Sequence, residues 1–186
     1  MPSSRSRGLT ATSTTSGGPA VRGGAAHGHG LGSVVSLSPS IVAPSSGPEL
    51  MIVFVRSTDA AIVFTTWSGG AWSSPVAIAS AVTNEPVSLI ALAGGDVVLA
   101  FRGLDSQAYW SRHSSGIWSS VAPIASPNPT VASPPSLAPG VGGVDAELAY
   151  VSAGAAYHQR LTGATWSGAV LVGGAGLTAV SIASSP

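Results

Sequence analysis

The 186-residue sequence contains no cysteine and no lysine. Without cysteine there can be no disulfide framework and no thiolate metal site. Charge of either sign is scarce. Seven arginines balance seven acids, and charged residues make up 8% of the chain, against about a quarter in an ordinary soluble domain. No basic face is available to grip a phosphate backbone, so nucleic acid is not an expected partner. A polybasic membrane anchor is excluded on the same ground. Long apolar runs are also missing. The longest, such as Leu50 to Val55, have the length of a strand and fall far short of the roughly 20 residues that span a bilayer. Arg5 and Arg7 stand near the N-terminus with no apolar run behind them, so no secretory signal is expected in the chain as it stands. If the true start lies upstream, an extracellular or cell-surface location is the expectation. Helix signals are nearly absent, since no window carries apolar residues at helical spacing between a cap and a glycine stop.

What the chain does have is a repeat. Trp72-Ser73-Ser74-Pro75-Val76-Ala77-Ile78 recurs as Trp118-Ser119-Ser120-Val121-Ala122-Pro123-Ile124 and again as Trp166-Ser167-Gly168-Ala169-Val170-Leu171-Val172. The three tryptophans are 46 and 48 residues apart. That period accommodates four short strands and their turns, the unit of a β-propeller blade. A first strand is predicted at Ser40-Ile41-Val42, Ser88-Leu89-Ile90 and Ser136-Leu137-Ala138. A second is predicted at Met51 to Arg56, Val97 to Arg102 and Glu147 to Val151. A third falls at Ala61 to Trp67, Ala108 to His113 and Ala156 to Leu161, and the repeated Trp opens the fourth. Gly70, Gly116 and, one place earlier, Gly163 mark the turns before that Trp, where tight hairpins need positive φ.

The expected fold is therefore all-β: a partial β-propeller of three four-stranded antiparallel blades at about 36–80, 84–127 and 132–174. An orphan strand at 178–184 repeats the first-strand phrase and would open a fourth blade. Residues 1–33 are Ser, Thr, Gly, Ala and Arg with almost no large apolar side chain and read as a disordered tail. Their His27 and His29 are read as a solvated pair, because two ligands on a floppy segment make a poor metal site. Three blades leave two open flanks, each expected to expose apolar surface that neighbouring blades would cover. The expectation is self-association or further blades outside this chain.

The repeated tryptophans Trp72, Trp118 and Trp166 are expected to pack one blade against another. Trp67 and Trp110 lie on third strands at different repeat positions. Trp67 aligns with His113 and Leu161, and Trp110 with Phe64 and His158. An aromatic that varies between repeats can serve as a stacking platform for a sugar, or it can pack as an ordinary half-buried strand residue. Arg56 and Arg102 both lie sixteen places before their repeat's Trp and open an Arg-x-x-Asp phrase with Asp59 and Asp105, absent from the third repeat. Each guanidinium could bind ring hydroxyls or clamp its own turn. Arg112 and Arg160 match each other, with Thr66 in the first repeat.

Blades that end in Gly-x-Trp-Ser after an aromatic strand resemble the repeats of bacterial and fungal fucose-binding propeller lectins. The resemblance covers residues 36–183. It implies a sugar held between adjacent blades by an arginine, an acid and a stacking aromatic. The matching residues are Arg56, Arg102, Arg112, Arg160, Trp67, Trp110 and Tyr157. The acid has no matching recurrence, since Glu49, Glu85 and Glu147 do not fall at one repeat position. Sialidase blades also have a Gly-x-x-Trp turn, but the Asp of that turn is missing from all three repeats. No pair of carboxyl groups stands out for glycoside cleavage, and nucleophile and phosphate-loop motifs are absent. No catalytic residue, cofactor or metal is expected. The leading expectation is a non-catalytic, lectin-like module that binds a glycan between blades. The alternative is a structural or protein-interaction segment of a larger surface or secreted protein, with a sialidase-like glycosidase third.

Overall fold

In Leu50-Met51-Ile52-Val53-Phe54-Val55 every residue is apolar, so a strand here must be buried on both faces. The computed structural model describes residues 37–125 and 128–183. The tail expected over 1–33, with His27 and His29, lies outside the described residues, as does Ser184.

The described chain is all-β and forms three antiparallel sheets in sequence order. Sheet 1 contains β1 (Ser40–Val42), β2 (Leu50–Val55), β3 (Ala61–Ser68), β4 (Ala71–Trp72) and β5 (Val76–Val82). Sheet 2 contains β6 (Ser88–Ala91), β7 (Val97–Arg102), β8 (Ala108–Ser114), β9 (Ile117–Trp118) and β10 (Ala122–Pro123). Sheet 3 contains β11 (Ser136–Pro139), β12 (Ala146–Ser152), β13 (Ala155–Thr162), β14 (Thr165–Trp166) and β15 (Val170–Gly173). In each sheet the first three strands pair in order and the fourth is split, both halves pairing with the third strand. No described helix is long and apolar enough to cross a membrane.

The split explains why serine always follows the repeated Trp. Ser73, Ser119 and Ser167 donate their N–H to the carbonyls of Thr66, Arg112 and Arg160, each at 2.8 Å. Their hydroxyl oxygens accept the N–H of those same residues at 3.0 Å. The serine thus satisfies the third strand's backbone where the ladder breaks. The turn before each Trp also follows its sequence. Gly69 and Gly70 both have positive φ (59° and 86°), as do Ser115 and Gly116 (50° and 85°), while in the third turn only Gly163 does (60°). The first two have the type I′ pattern and the third the II′ pattern, which puts its glycine first.

Strand alternation divides the side chains between two interfaces. Met51, Val53 and Val55 of sheet 1 pack with Val97, Leu99 and Phe101 of sheet 2. Val98 and Ala100 of sheet 2 pack with Ala146, Leu148 and Tyr150 of sheet 3. The first strands are latched by serine. Ser40 Oγ donates to Val87 O at 2.7 Å, and Ser88 Oγ accepts the Leu137 N–H at 2.9 Å.

Two expectations need correction. Residues 178–183 form no strand. In the other repeats the first strand pairs with the second strand of its own sheet, and no such partner strand lies among the described residues here. The segment keeps only the latch, with the Ile182 N–H donating to Ser136 Oγ at 3.2 Å. The outer flanks are also not bare apolar surface. Phe54, Ala61 and Val63 on the far face of sheet 1 are buried, as are Ala149, Val151 and Ala156 on the far face of sheet 3. Beside Ala156 the Leu177 N–H donates to Gly154 O at 2.9 Å, so the C-terminal segment folds back along that sheet.

Candidate functional site

Neighbouring sheets approach most closely along their first strands, β1 beside β6 and β6 beside β11, and part further out, where the split strand of one faces the second and third strands of the next. This leaves two grooves at corresponding places. The groove between sheets 1 and 2 has a volume of about 440 Å³ and runs between Ser80 and Val82 on one side and Phe101, Asp105, Tyr109 and Val121 on the other. The groove between sheets 2 and 3 has a volume of about 400 Å³. It runs between Ile124 and Pro129 on one side and Tyr150, Gln159, Trp166 and Ala169 on the other.

Each groove borders a stacked aromatic pair at the same cross-strand position. Phe101 lies opposite Tyr109, with ring centroids 5.8 Å apart and planes at 26°. Tyr150 lies opposite Tyr157, at 5.6 Å and 18°. In sheet 1 the same position holds Phe54 and Val63. The Tyr109 hydroxyl donates to Asp105 Oδ2 at 2.8 Å, and this bond raises the phenol's pKa. The Gln107 N–H, and then the Tyr109 hydroxyl, hold the Asp105 carboxyl below its ordinary value. Burial raises the Tyr150 phenol.

The arginines and aromatics singled out in the sequence do not form one site. Arg56 clamps its own turn, its Nε donating to Asp59 Oδ1 at 2.8 Å. The guanidinium pulls the Asp59 carboxyl down to about 2. Arg102 does not repeat this arrangement. It is bonded to Glu85, to Ser106 Oγ and to Val131 O, while Asp105 serves Tyr109. The strand register gives the reason. Arg102 pairs with Ala108 at the position that Val55 occupies opposite Ile62. Arg56 lies one residue further on and so points to the other face.

Arg112 is a strut between sheets 2 and 3. Its Nε donates to Asp96 Oδ2 at 2.7 Å, and its Nη1 to Asp145 Oδ2 at 3.1 Å and Gly163 O at 2.7 Å. Burial works against the charged guanidinium, but the two carboxylates outweigh it and raise its pKa. Arg160 lies on the far face of sheet 3, bound through Nε and Nη2 to Glu147, which also meets His158 Nε2 at 2.7 Å. Burial alone would raise the Glu147 carboxyl, but Arg160 and His158 hold it below its ordinary value.

Trp110 is a core residue, 8% exposed, and meets Trp166 edge-on at 5.7 Å. Trp67 lies on the far face of sheet 1 beside Trp72, at 5.4 Å. None of the seven residues lines either groove; Tyr157 is the nearest to one, stacked on Tyr150, which does line the second. The repeated Trp packs on the preceding sheet, Trp118 against Phe64 at 5.8 Å and Trp166 against Trp110.

A recurrent acid exists after all. Glu49, Asp96 and Asp145 each stand immediately before the second strand of their sheet. Glu49 accepts the Gly69 N–H at 3.2 Å and Asp145 the Gly163 N–H at 2.9 Å, so these two fasten the turn before the repeated Trp. The change from Glu to Asp and the unequal lengths of the intervening hairpins hide the recurrence from a count along the chain.

The class this geometry defines is an all-β protein of three stacked antiparallel sheets with a groove at each junction. No protein-family model matches the chain, and no curated protein matches it.

Proposed function

We propose that the chain is a non-catalytic carbohydrate-binding module, three blades of a β-propeller that take up glycans in the grooves between blades. The observation that carries this reading is the recurrence of the groove. Two grooves of similar volume lie at the two junctions, the first lined by both rings of the Phe101–Tyr109 stack and the second by Tyr150, which stacks on Tyr157 behind it. An aromatic ring suits the apolar face of a sugar, while Asp105 and Gln159 offer polar atoms for its hydroxyls. The acids also favour binding over chemistry. Asp59, Glu85, Asp96, Asp145 and Glu147 are tied to arginine, Asp105 to Tyr109 and Glu49 to a backbone amide. That leaves no matched pair of acid and base of the kind glycoside cleavage uses.

Glycan-array screening followed by NMR titration with methyl glycosides tests this reading. Shifts are expected at the Tyr109 and Tyr150 rings, with at least a tenfold loss of affinity in Tyr109→Ala at the first groove. No perturbation at either groove at millimolar glycoside would overturn it. Arg112→Ala and Trp110→Ala are unsuitable probes, because both residues hold sheets 2 and 3 together.

A second reading, a protein-interaction segment of a larger protein, is favoured by one observation. Val170, Leu171 and Val172 of β15 are all about 60% exposed on the outer edge of sheet 3 (58%, 61% and 60%), and exposed apolar edge strands attract partner strands.

A further inference from the structure

We infer that Gln159 makes the groove between sheets 2 and 3 a receptor for a ligand hydroxyl, and that the groove between sheets 1 and 2 lacks this element. The inference rests on the carbohydrate-binding reading and assigns a specificity determinant within it.

Gln159 lines the groove but is only 1% exposed. Its Nε2 donates to Ser167 O at 2.6 Å. That carbonyl can only accept, so the bond fixes the amide with its oxygen turned away from Ser167. Oε1 has no hydrogen-bond partner. Trp166, on the same wall, has a buried indole N–H that is likewise unpaired.

The other sheets show what the fold itself requires here. At the equivalent position Thr65 Oγ1 donates to Ser73 O at 2.8 Å, and Ser111 Oγ donates to Ser119 O at 2.9 Å. A hydroxyl is therefore enough to satisfy the serine carbonyl. Glutamine makes the same bond and adds a buried acceptor that the fold does not use, and such an atom is costly to leave unpaired. An unpaired acceptor and an unpaired donor on one wall complement a hydroxyl, which donates through its hydrogen and accepts at its oxygen. The Trp118 indole N–H is also unpaired but lies outside the lining of the first groove, and Ser111 brings no second acceptor beside it. The matching ligand is a pyranoside that enters the groove beside Tyr150, Trp166 and Ala169 and directs one hydroxyl toward Gln159. Removing that hydroxyl leaves the protein's acceptor unpaired again, so the groove should reject the deoxy analogue.

The test is NMR titration of the full chain with methyl hexopyranosides and their monodeoxy and mono-O-methyl derivatives, using wild type, Gln159→Ser and Gln159→Met. Gln159→Ser retains the bond to Ser167 in the manner of Ser111. It is expected to weaken binding at the Tyr150 and Trp166 signals at least tenfold, to leave the Phe101 and Tyr109 signals unchanged, and to leave Tm equal or higher. In the wild type, loss of one particular hydroxyl should cost at least tenfold at the second groove and little at the first. Wild-type affinity of both variants at the second groove, or an equal response of both grooves to every deoxy sugar, would overturn the inference and leave the carbohydrate reading standing. No glycoside-induced shift at either groove would overturn both.

Discussion

His113 occupies a position that holds Trp67 in sheet 1 and Leu161 in sheet 3, so the strand accepts an apolar side chain there. It is 7% exposed and sits 5.9 Å from Phe64 and 5.2 Å from Trp118, ring to ring. Burial lowers its pKa below the ordinary value of 6.5, a bond involving the Gly116 backbone and the Asp96 charge offsetting only part of the effect. The sign follows from linkage. The unfolded chain takes up the proton first, so this contribution to stability is complete above about pH 6.5 and is lost as the pH falls toward the depressed folded value. Denaturation midpoints measured between pH 8 and pH 5 should fall in the wild type and fall less in His113→Leu. Equal slopes would contradict the assignment. None of this was legible in the sequence, where His113 is simply a polar residue aligned with a tryptophan. The same holds for Arg102. Its spacing from Trp118 matches that of Arg56 from Trp72, but a one-residue difference in hairpin length sends the two side chains to opposite faces.

The strands themselves were far more legible. Apolar alternation, the Trp-Ser phrase and the turn glycines together place the first, second and third strands within a residue or two. Gly163, one position early in its turn, even signals the different hairpin type. The division of the fourth strand was hidden because its cause is a serine hydroxyl bonded to a backbone amide across the sheet, and no local pattern encodes that. The repeated Trp marks the element on which stacking depends. Trp118 presses on Phe64 of the preceding sheet, whereas among the described residues the ring partner of Trp72 is Trp67 of its own sheet. Trp118→Ala should therefore cost about 3 kcal/mol, the range for truncating a large core aromatic, and Trp72→Ala distinctly less. Urea denaturation of the two variants checks this, and equal losses would show that Trp118 contributes no more to stacking than Trp72 does.

Across the whole molecule the sheets form a short linear array in which sheet 2 is covered on both faces. Arrays of this kind are stabilised by each unit and by its neighbour contacts. Amides of β7, whose Val97 to Phe101 are at most 1% exposed, are expected to exchange most slowly with deuterium, and those of β1 and β15 fastest. Faster exchange in β7 than in β2 and β12 would refute the array picture. The grooves belong to this scale too. Their walls come from segments some 20 to 40 residues apart, so a reading along the chain singles out Tyr157 but not Phe101, Tyr109 or Tyr150, nor the spaces they border.

The Arg112 strut gives the three repeats an order. At the sheet 1–2 junction the corresponding residue is Thr66, and there the loops are joined instead by Ser45 and Ser46, which donate to Ala93 O and Gly94 O. If sheets 2 and 3 exchanged places along the chain, Asp145 would face a threonine and lose its cation. The units share one repeated pattern, yet each carries a local address that names the neighbour it accepts.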